Sequence, residues 1–195
     1  MELDEAADPF RLFDAWFAAA GDAEPMAEAM SLATVGADGV PSLRMVLLKG
    51  ADERGFVFFT NFASRKGHEL AGNPHAALCL HWKALGRQVR VVGAVERVSD
   101  AEADAYFASR PRDSRVGAWA SLQSQPLESR AELERRFALF DAEHPGDQVP
   151  RPEHWSGYRV VPARIEFWAE GRFRLHDRIE FARHAGGWAA TRLYP

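Results

Sequence analysis

The stretch MSLATVGADGVPSLRMVLLKG, residues 30–50, decides the fold class of this chain. Two apolar runs flank the segment GADGVP, and its glycines and proline are typical of a turn. The pattern therefore predicts two antiparallel strands joined by a hairpin.

Further short runs of apolar and β-branched residues lie outside this hairpin, and each of them predicts a strand. These runs are FVFFT (56–60), HAALCLHW (75–82), GRQVRVVGAVERVS (86–99), YRVVPARIEFWAE (158–170), FRLHDRIEFAR (173–183) and GWAATRLYP (187–195). Gly93 lies inside the longest early run and is typical of a bulge or bend. The run HPGDQVPRPEHW (144–155) contains three prolines and predicts a surface loop.

Helix-capping signals occur between the groups of strands. Helices are predicted to begin at Asp8-Pro9, where the helix ends near Gly21, at Ser64, at the capping box of Ser99 with Glu102, and at the capping box of Ser129 with Glu132. Because helices do not alternate regularly with strands, a doubly wound parallel sheet is disfavoured. We predict a mainly β fold with flanking helices (α+β), built as a largely antiparallel barrel.

Composition excludes several classes of protein. The 195 residues carry a formal net charge of −4, which argues against a broad nucleic-acid-binding surface. Cys79 is the only cysteine, so an internal disulfide is impossible and a reducing, cytoplasmic location is expected. No apolar run approaches membrane-spanning length, and the acidic residues 1–7 do not resemble a signal peptide. Nucleotide-binding glycine loops and the usual metal-ligand motifs are absent, so we expect no metal.

Two groups of cations occur in the first half of the chain. Arg44 and Lys49 belong to RMVLLK, and in a regular strand they would face opposite sides unless the strand ends or bends between them. Arg65 and Lys66 lie in the first turn of a predicted helix, where cations oppose the helix dipole and a bound phosphate would reverse that penalty. Solvated turn residues are the simpler interpretation of each group.

Two further groups occur in the second half. Tyr106 and Arg110 share one helix face, and with Ser114 they offer a phenol, a guanidinium and a hydroxyl suited to a phosphate monoester. In FRLHDR, an extended strand would place Arg174, His176 and Arg178 on one face. The alternatives are surface arginines neutralised by carboxylates, and a charged edge strand. Together the four groups suggest two anionic groups and at least one planar ring.

Six segments, taken in order, resemble the pyridoxine (pyridoxamine) 5′-phosphate oxidase family. They are RMVLLK, FTNFASRKGHEL, GRQVRVVG, SRPRDSRVGAWASLQS, IEFW and RLHDR, and the resemblance runs from about Asp8 to Pro195. It implies an FMN-binding split β-barrel in one domain, residues 8–195, preceded by a tail of residues 1–7. It also implies a C-terminal dimerisation and substrate region, and a homodimer with two active sites at the subunit interface.

The resemblance assigns roles by matching motifs. The FMN contacts that it implies are Arg44, Met45, Val46, Leu47, Leu48, Lys49, Phe59, Thr60, Arg65, Lys66, Gln88, Gln123, Ser124, Trp168 and Arg178. The substrate phosphate would be held by Lys49, Tyr106, Arg110 and Ser114. Arg174 and His176 would lie over the substrate ring and its reacting substituent as the catalytic pair, while Arg112 and Arg115 would serve structure or the dimer contact.

The implied reaction is the FMN-dependent oxidation of pyridoxamine or pyridoxine 5′-phosphate to pyridoxal 5′-phosphate, in which O2 is the acceptor and H2O2 is released. One alternative is a flavin oxidase of the same fold acting on another substrate, such as a phenazine-pathway relative. Another is a non-catalytic flavin- or pyridoxal-phosphate-binding protein. A structural β-barrel with a charged surface is the simplest alternative.

Overall fold

The computed structural model describes residues 3–195, so residues 1 and 2 of the predicted tail lie outside the described residues. The helices are α1 (Pro9–Ala23), α2 (Arg65–Gly72), α3 (Asp100–Ser109), α4 (Arg112–Ala120) and α5 (Arg130–Glu143). The strands are β1 (Ala29–Val35), β2 (Pro41–Leu47), β3 (Gly50–Asp52), β4 (Gly55–Asn61), β5 (His75–Trp82), β6 (Arg87–Arg97), β7 (Trp155–Ala169), β8 (Asp177–His184) and β9 (Gly187–Arg192).

The strands form one curled antiparallel sheet in the order β2-β1-β5-β6-β7-β4-β3, and β8 and β9 continue from β7. The first half of β7 pairs with β4 and its second half pairs with β8. The predicted fold class, mainly β and antiparallel with flanking helices, is confirmed.

The hairpin that decided the fold class pairs β1 with β2 from Ala29 opposite Leu47 to Val35 opposite Pro41. In β1, Met30, Leu32 and Thr34 are buried, as strand alternation requires. The predicted irregularity at Gly93 is also present, because the register between β6 and β7 shifts between Val92 and Gly93. A Cβ at Gly93 would overlap the carbonyl oxygen of Val161, so glycine is needed for this close approach.

Side-chain caps begin four of the five described helices, at the residues that the sequence indicates, whereas α4 follows Pro111 without one. Asp8 Oδ1 accepts hydrogen bonds from the backbone N–H groups of Phe10 and Arg11, both at 3.0 Å. The capping box of Ser99 with Glu102 has both of its bonds. At α5 only half of the predicted box forms: Ser129 Oγ accepts from the Glu132 N–H at 3.1 Å, whereas the Glu132 carboxylate accepts from Arg135.

The main core lies between α1 and the concave side of the sheet. Phe13 and Trp16 of α1 are fully buried, and they pack edge-on against Phe56 and Phe167 of the sheet. Leu3 also belongs to this core. Within residues 3–195, no helix is both long enough and apolar enough to cross a membrane.

The prediction of a strand over the whole of residues 173–183 was wrong at its start. Residues 172–174 form a single helical turn, and β8 begins only at Asp177. Phe173 and Arg174 have φ angles of 59° and 63°, and a Cβ at Gly171 would overlap the carbonyl oxygen of Leu175. The chain therefore doubles back here, and Arg174, His176 and Arg178 do not share the face of one strand.

Candidate functional site

A cleft of about 730 Å³ opens where the end of β2, β4 and the start of α2 meet helices α3 and α4. Its lining contains most of the residues predicted from the first three groups. The lining residues are Arg44, Met45, Val46, Leu47, Lys49, Phe59, Thr60, Asn61, Lys66, Tyr106, Arg110, Ser114, Gly117, Ala118, Ser121, Gln123 and Trp155.

Arg44 and Lys49 reach the same cleft because β2 ends between them, at Leu47. After this end the Lys49 N–H donates to the carbonyl oxygen of Val57 at 2.8 Å, which turns the chain onto β4. Leu48 is buried in the core and does not line the cleft. A regular strand would place Arg44 and Lys49 on opposite faces, and the end of β2 at Leu47 allows both side chains to line the same cleft.

Lys66 lies inside the cleft, at the first turn of α2. Its ammonium group donates to Thr60 Oγ1 at 3.0 Å and to Gln123 Oε1 at 2.8 Å. Burial and, to a smaller extent, the nearby charge of Arg44 lower the pKa of Lys66 to about 8, although Glu69 acts in the opposite direction. Its proton would be retained more strongly if an anion entered the cleft.

Arg65, the neighbour of Lys66, is placed differently. It does not line the cleft, its side chain is 61% exposed, and its Nε donates to Glu69 Oε1 at 2.8 Å. This bond uses only the Nε of the guanidinium.

Glu69 links β1, β2 and α2. Its Oε2 accepts from Thr34 Oγ1 and Ser42 Oγ at 2.5 Å each, and from Arg44 Nη2 at 3.2 Å. Burial opposes ionisation of this carboxyl, but the bonds from Ser42 and Thr34 and those from the two arginines lower its pKa to about 2. Glu69 therefore stays ionised and fixes Arg44 at the wall of the cleft.

Tyr106, Arg110 and Ser114 meet on the opposite wall, as their spacing predicts. Arg110 Nη1 is buried and has no hydrogen-bond partner in the described part of the chain. Burial lowers the pKa of Arg110, the charge of Arg115 adds to this effect, and only the Tyr106 phenol opposes it. A buried guanidinium without a carboxylate partner is costly, and an anionic ligand would satisfy it.

Arg112, two residues after Arg110, has carboxylate and carbonyl partners that Arg110 lacks among the described residues. It forms an ion pair with Asp141 of α5 and donates to the carbonyl oxygens of His144 and Gly146 at 2.8 and 2.7 Å. It therefore ties α4 to the end of α5. Arg115 leaves its Nε buried and unpartnered within residues 3–195 and lies outside the cleft lining.

The remaining predicted residues form a second group at the far end of β7. Gln88, Trp168 and Arg178 are cross-strand neighbours on β6, β7 and β8. The His176 ring lies 4.6 Å from the Trp168 ring, and its Nδ1 accepts from the Gly171 N–H at 3.2 Å. Arg174 is exposed in the preceding turn.

The two groups do not meet within one chain. Gly157 pairs with Phe59 at the cleft, whereas Trp168 lies eleven residues further along the same strand, a chain length of roughly 36 Å at about 3.3 Å per residue. None of the residues of the second group lines the cleft. Ser124 belongs to neither group: it is exposed, has a φ of 72° and follows α4 outside the cleft lining.

Sequence reasoning missed five residues of the lining, namely Asn61, Gly117, Ala118, Ser121 and Trp155. Asn61 follows the predicted contact Thr60 directly, and Ser121 follows Ser114 by two helical turns, so spacing could have indicated both. Trp155 stands at the end of a proline-rich run and carries no such signal.

The donor set of the cleft suits a phosphorylated ligand. Arg44 and Lys66 stand on one wall and Arg110 on the other, and the cleft lining contains no carboxylate among the described residues. The unpartnered Arg110 Nη1 and the buried, pKa-lowered Lys66 both gain from an anion. The cleft therefore fits FMN or a phosphorylated substrate by its chemistry.

Comparison with known proteins agrees with this chemistry. The family model described as "Pyridoxamine 5′-phosphate oxidase" matches residues 19–142, and that described as "Pyridoxine 5′-phosphate oxidase C-terminal dimerisation region" matches residues 155–195. A pyridoxine/pyridoxamine 5′-phosphate oxidase of Rhodospirillum rubrum is 61% identical over 197 residues, covering 98% of each chain. The one of Mesorhizobium japonicum is 59% identical over 196 residues, covering 100% of this chain and 96% of the relative.

Solved structures show the same fold. PhzG from Burkholderia lata, in complex with tetrahydrophenazine-1-carboxylic acid, has a TM-score of 0.92 and 33% identity, covering 98% of this chain and 95% of its own. A pyridoxamine 5′-phosphate oxidase-related, FMN binding protein from Nostoc punctiforme has a TM-score of 0.77 and 18% identity, covering 98% of this chain and 100% of its own. With both family models and close relatives matched along almost its whole length, the chain belongs to the pyridoxamine 5′-phosphate oxidase family.

Proposed function

We propose that this protein oxidises pyridoxamine 5′-phosphate and pyridoxine 5′-phosphate to pyridoxal 5′-phosphate, with FMN as cofactor and O2 as acceptor. The amine reaction consumes water and releases ammonia and H2O2, and the alcohol reaction releases H2O2 alone. The observation that carries the proposal is the unpartnered guanidinium of Arg110 beside Tyr106 and Ser114, in a cleft that Lys49 also lines. A single cysteine is compatible with a cytoplasmic site of action.

FMN supplies the redox chemistry when bound, accepting a hydride equivalent from the substrate carbon and passing electrons to O2. Lys66 would hold its phosphate, and Arg65 of the same helical turn would supply a second cation. Arg44, residues 45–47, Lys49, Phe59 and Thr60 would line its ring and chain, and Gln123 would complete this side.

The substrate phosphate would be held by Tyr106, Arg110 and Ser114 on the facing wall, together with Lys49 at the end of β2. Their charge and hydrogen bonds position the substrate, and positioning is the main catalytic contribution of the protein in such a reaction. Cations beside the cofactor stabilise negative charge that develops there.

We propose that the second group acts on the cleft of another subunit. Gln88, Trp168 and Arg178 would contact FMN from there, and Arg174 and His176 would orient the reacting substituent. The exposed turn with Phe173 and Arg174 projects from the region whose family model is described as a dimerisation region, which supports a homodimer with shared sites.

An anaerobic titration with pyridoxamine 5′-phosphate tests the proposal. The purified protein, loaded with FMN, should lose the visible absorbance of oxidised flavin in proportion to added substrate, and should release H2O2 after air is admitted. Flavin that binds but stays oxidised would indicate a binding protein. Absence of flavin binding would leave only a structural barrel.

A phenazine-type substrate is the second candidate, because PhzG shares the fold at 33% identity. The ligand named in that structure is a carboxylic acid. Four phosphate-type donors in the cleft favour the phosphorylated vitamin. Parallel assays with both substrate types would separate the two candidates by their kcat/KM.

A further inference from the structure

The phosphate-binding arginine of the proposed site is supported by aromatic rings in place of a carboxylate. The Arg110 guanidinium carbon lies 4.8 Å from the centroid of the Trp155 ring and 5.5 Å from that of Phe107. Distances of this order are typical of cation–π contacts, in which Trp is the strongest partner. No carboxylate of residues 3–195 contributes to the charge environment of Arg110.

Trp155 is itself held firmly. Its ring is 7% exposed, lies nearly parallel to the rings of Phe59 and Tyr106 (9° and 12°), and packs edge-on against Phe107 at 4.9 Å. A side chain packed on several sides cannot leave its position without opening a cavity.

The backbone of Trp155 is tied to α3, the helix that directly precedes Arg110. Arg151 Nη1 donates to the Trp155 carbonyl oxygen at 2.9 Å, and the same guanidinium pairs with Asp100 and Asp104 of α3 at 2.8 and 2.6 Å. The indole and the guanidinium are therefore fixed relative to each other by a link that crosses from β7 to α3.

These contacts decide what the guanidinium can do. An arginine paired with a carboxylate, such as Arg112 with Asp141, has its charge already neutralised. A ring face attracts the cation but offers it no hydrogen-bond acceptor in the plane of the guanidinium, so the N–H groups stay available for a phosphate. This agrees with the buried, unpartnered Nη1 of Arg110.

We propose that Trp155 is a positioning residue for the substrate phosphate, acting through Arg110. This proposal rests on the proposed function above. Trp155 holds the guanidinium at the wall of the cleft with its Nη1 desolvated, and it orders Arg110 before the substrate arrives.

A graded series of variants tests the role. In FMN-loaded protein, Trp155→Phe should raise the KM for pyridoxamine 5′-phosphate about two- to threefold, and Trp155→Leu about tenfold, because a cation–π contact is worth roughly 0.5–2 kcal/mol and Phe is a weaker partner than Trp. The kcat should change less than twofold in both. The Kd of pyridoxal 5′-phosphate, measured by titration calorimetry, should rise in the same order.

A double-variant cycle separates positioning from general packing. In the Arg110→Ala background, neither Trp155 substitution should raise KM or Kd further, because the group that Trp155 positions has been removed. Trp119→Leu is the matched control: its indole lies on α4 outside the cleft lining and donates to the Pro150 carbonyl oxygen, so it should leave KM unchanged.

An unchanged KM and Kd in Trp155→Leu would overturn the proposal, and so would effects of full size in the Arg110→Ala background. If Trp155→Leu does not fold, an unchanged Kd in Trp155→Phe decides against it. If the unaltered protein does not turn over pyridoxamine 5′-phosphate, the proposed function is contradicted. If it does, and KM and Kd are the same in Trp155→Phe and Trp155→Leu as in the unaltered protein, only this inference is contradicted.

Discussion

Lys66 Nζ lies 2.8 Å from Gln123 Oε1, so the first turn of α2 is joined across the cleft to the segment that follows α4. Thr60 Oγ1 accepts from the same ammonium group at 3.0 Å. Three parts of the chain thus converge on one buried cation. All described hydrogen-bond acceptors of this ammonium group are uncharged. A buried cation without an anionic partner costs folding free energy, and a bound anion would remove that cost.

Replacing Lys66 should therefore separate stability from cofactor binding. Burial lowers the folded-state pKa of Lys66 to about 8, below the ordinary value of 10.5, so the charged form costs stability below pH 8 and this cost fades as pH rises toward 10.5. Lys66→Met should raise the Tm of the FMN-free protein at pH 7, and should weaken FMN binding about tenfold or more by loss of a charge-assisted bond.

Flavin fluorescence quenching gives the Kd, and calorimetry gives the Tm. Arg65→Ala is the matched control and should weaken FMN binding less, because that guanidinium is already engaged by Glu69. An equal loss of FMN affinity in both variants would show that Lys66 contributes no more to FMN binding than Arg65 does.

The same lysine should make FMN binding depend on pH. Above about pH 8 the free protein progressively loses the proton on Lys66, while the FMN phosphate stays dianionic, so the Kd should rise with pH. The Lys66→Met variant should lose this rise. A Kd that stays flat from pH 7 to 10 in the unaltered protein would refute the assignment.

Much of this arrangement follows from the sequence by local rules. The hairpin at residues 30–50, the bulge at Gly93 and the capping box of Ser99 with Glu102 each depend on neighbouring residues or on one close contact. Such features can be predicted from one sequence because hydrophobic periodicity and helix capping depend on residues close to each other in the chain.

Other features depend on contacts that a sequence does not display. FRLHDRIEF alternates as a strand should, yet Phe173 and Arg174 adopt left-handed backbone and the first part becomes a turn. Trp155 ends a run with three prolines that indicated an exposed loop, but tertiary contacts bury it. The sequence predicts the same phosphate-binding role for Arg65 and Lys66, and it does not show that the Arg65 guanidinium forms an ion pair with Glu69.

Arg110 and Arg112 should respond to alanine in different ways. Arg110→Ala should raise the KM for pyridoxamine 5′-phosphate about tenfold or more, since a charge-assisted hydrogen bond contributes roughly 1.5–3 kcal/mol. It should lower the Tm less than Arg112→Ala does, because the loss of the contacts with Trp155 and Phe107 is offset by removal of the buried, unpartnered Nη1.

Arg112→Ala should lower the Tm, because the link from α4 to Asp141, His144 and Gly146 is lost, and should leave KM close to its original value. Steady-state kinetics and thermal unfolding on the two variants check the contrast. An unchanged KM in Arg110→Ala would remove that residue from its proposed role.

Glu69→Gln should destabilise the protein in a pH-dependent way. The folded-state pKa of about 2 lies below the ordinary value of 4.5, so the carboxylate contributes stability above pH 4.5 that is lost as pH falls toward 2. At pH 7 the variant should lose about 1–3 kcal/mol, because buried donors from Thr34, Ser42 and Arg44 lose an ionised acceptor.

Urea unfolding at several pH values measures this loss. The difference between the two proteins should shrink steadily below pH 4.5. A difference that is constant from pH 7 to pH 3 would mean that the charge of Glu69 is not the source of the stability.

The proposed sharing of the active site between subunits predicts complementation. Arg110→Ala damages the cleft, and Arg174→Ala damages the turn that would complete the cleft of the other subunit, so each homodimer should have two defective sites. In a mixed dimer, the altered cleft of one subunit receives the altered turn of the other, so this site carries both changes. The second site combines an unaltered cleft with an unaltered turn and carries neither. Co-expression with two different affinity tags and sequential purification isolates this dimer. Its activity should be about half that of the unaltered protein, whereas activity that lies between those of the two variant homodimers would place both arginines in the site of one subunit.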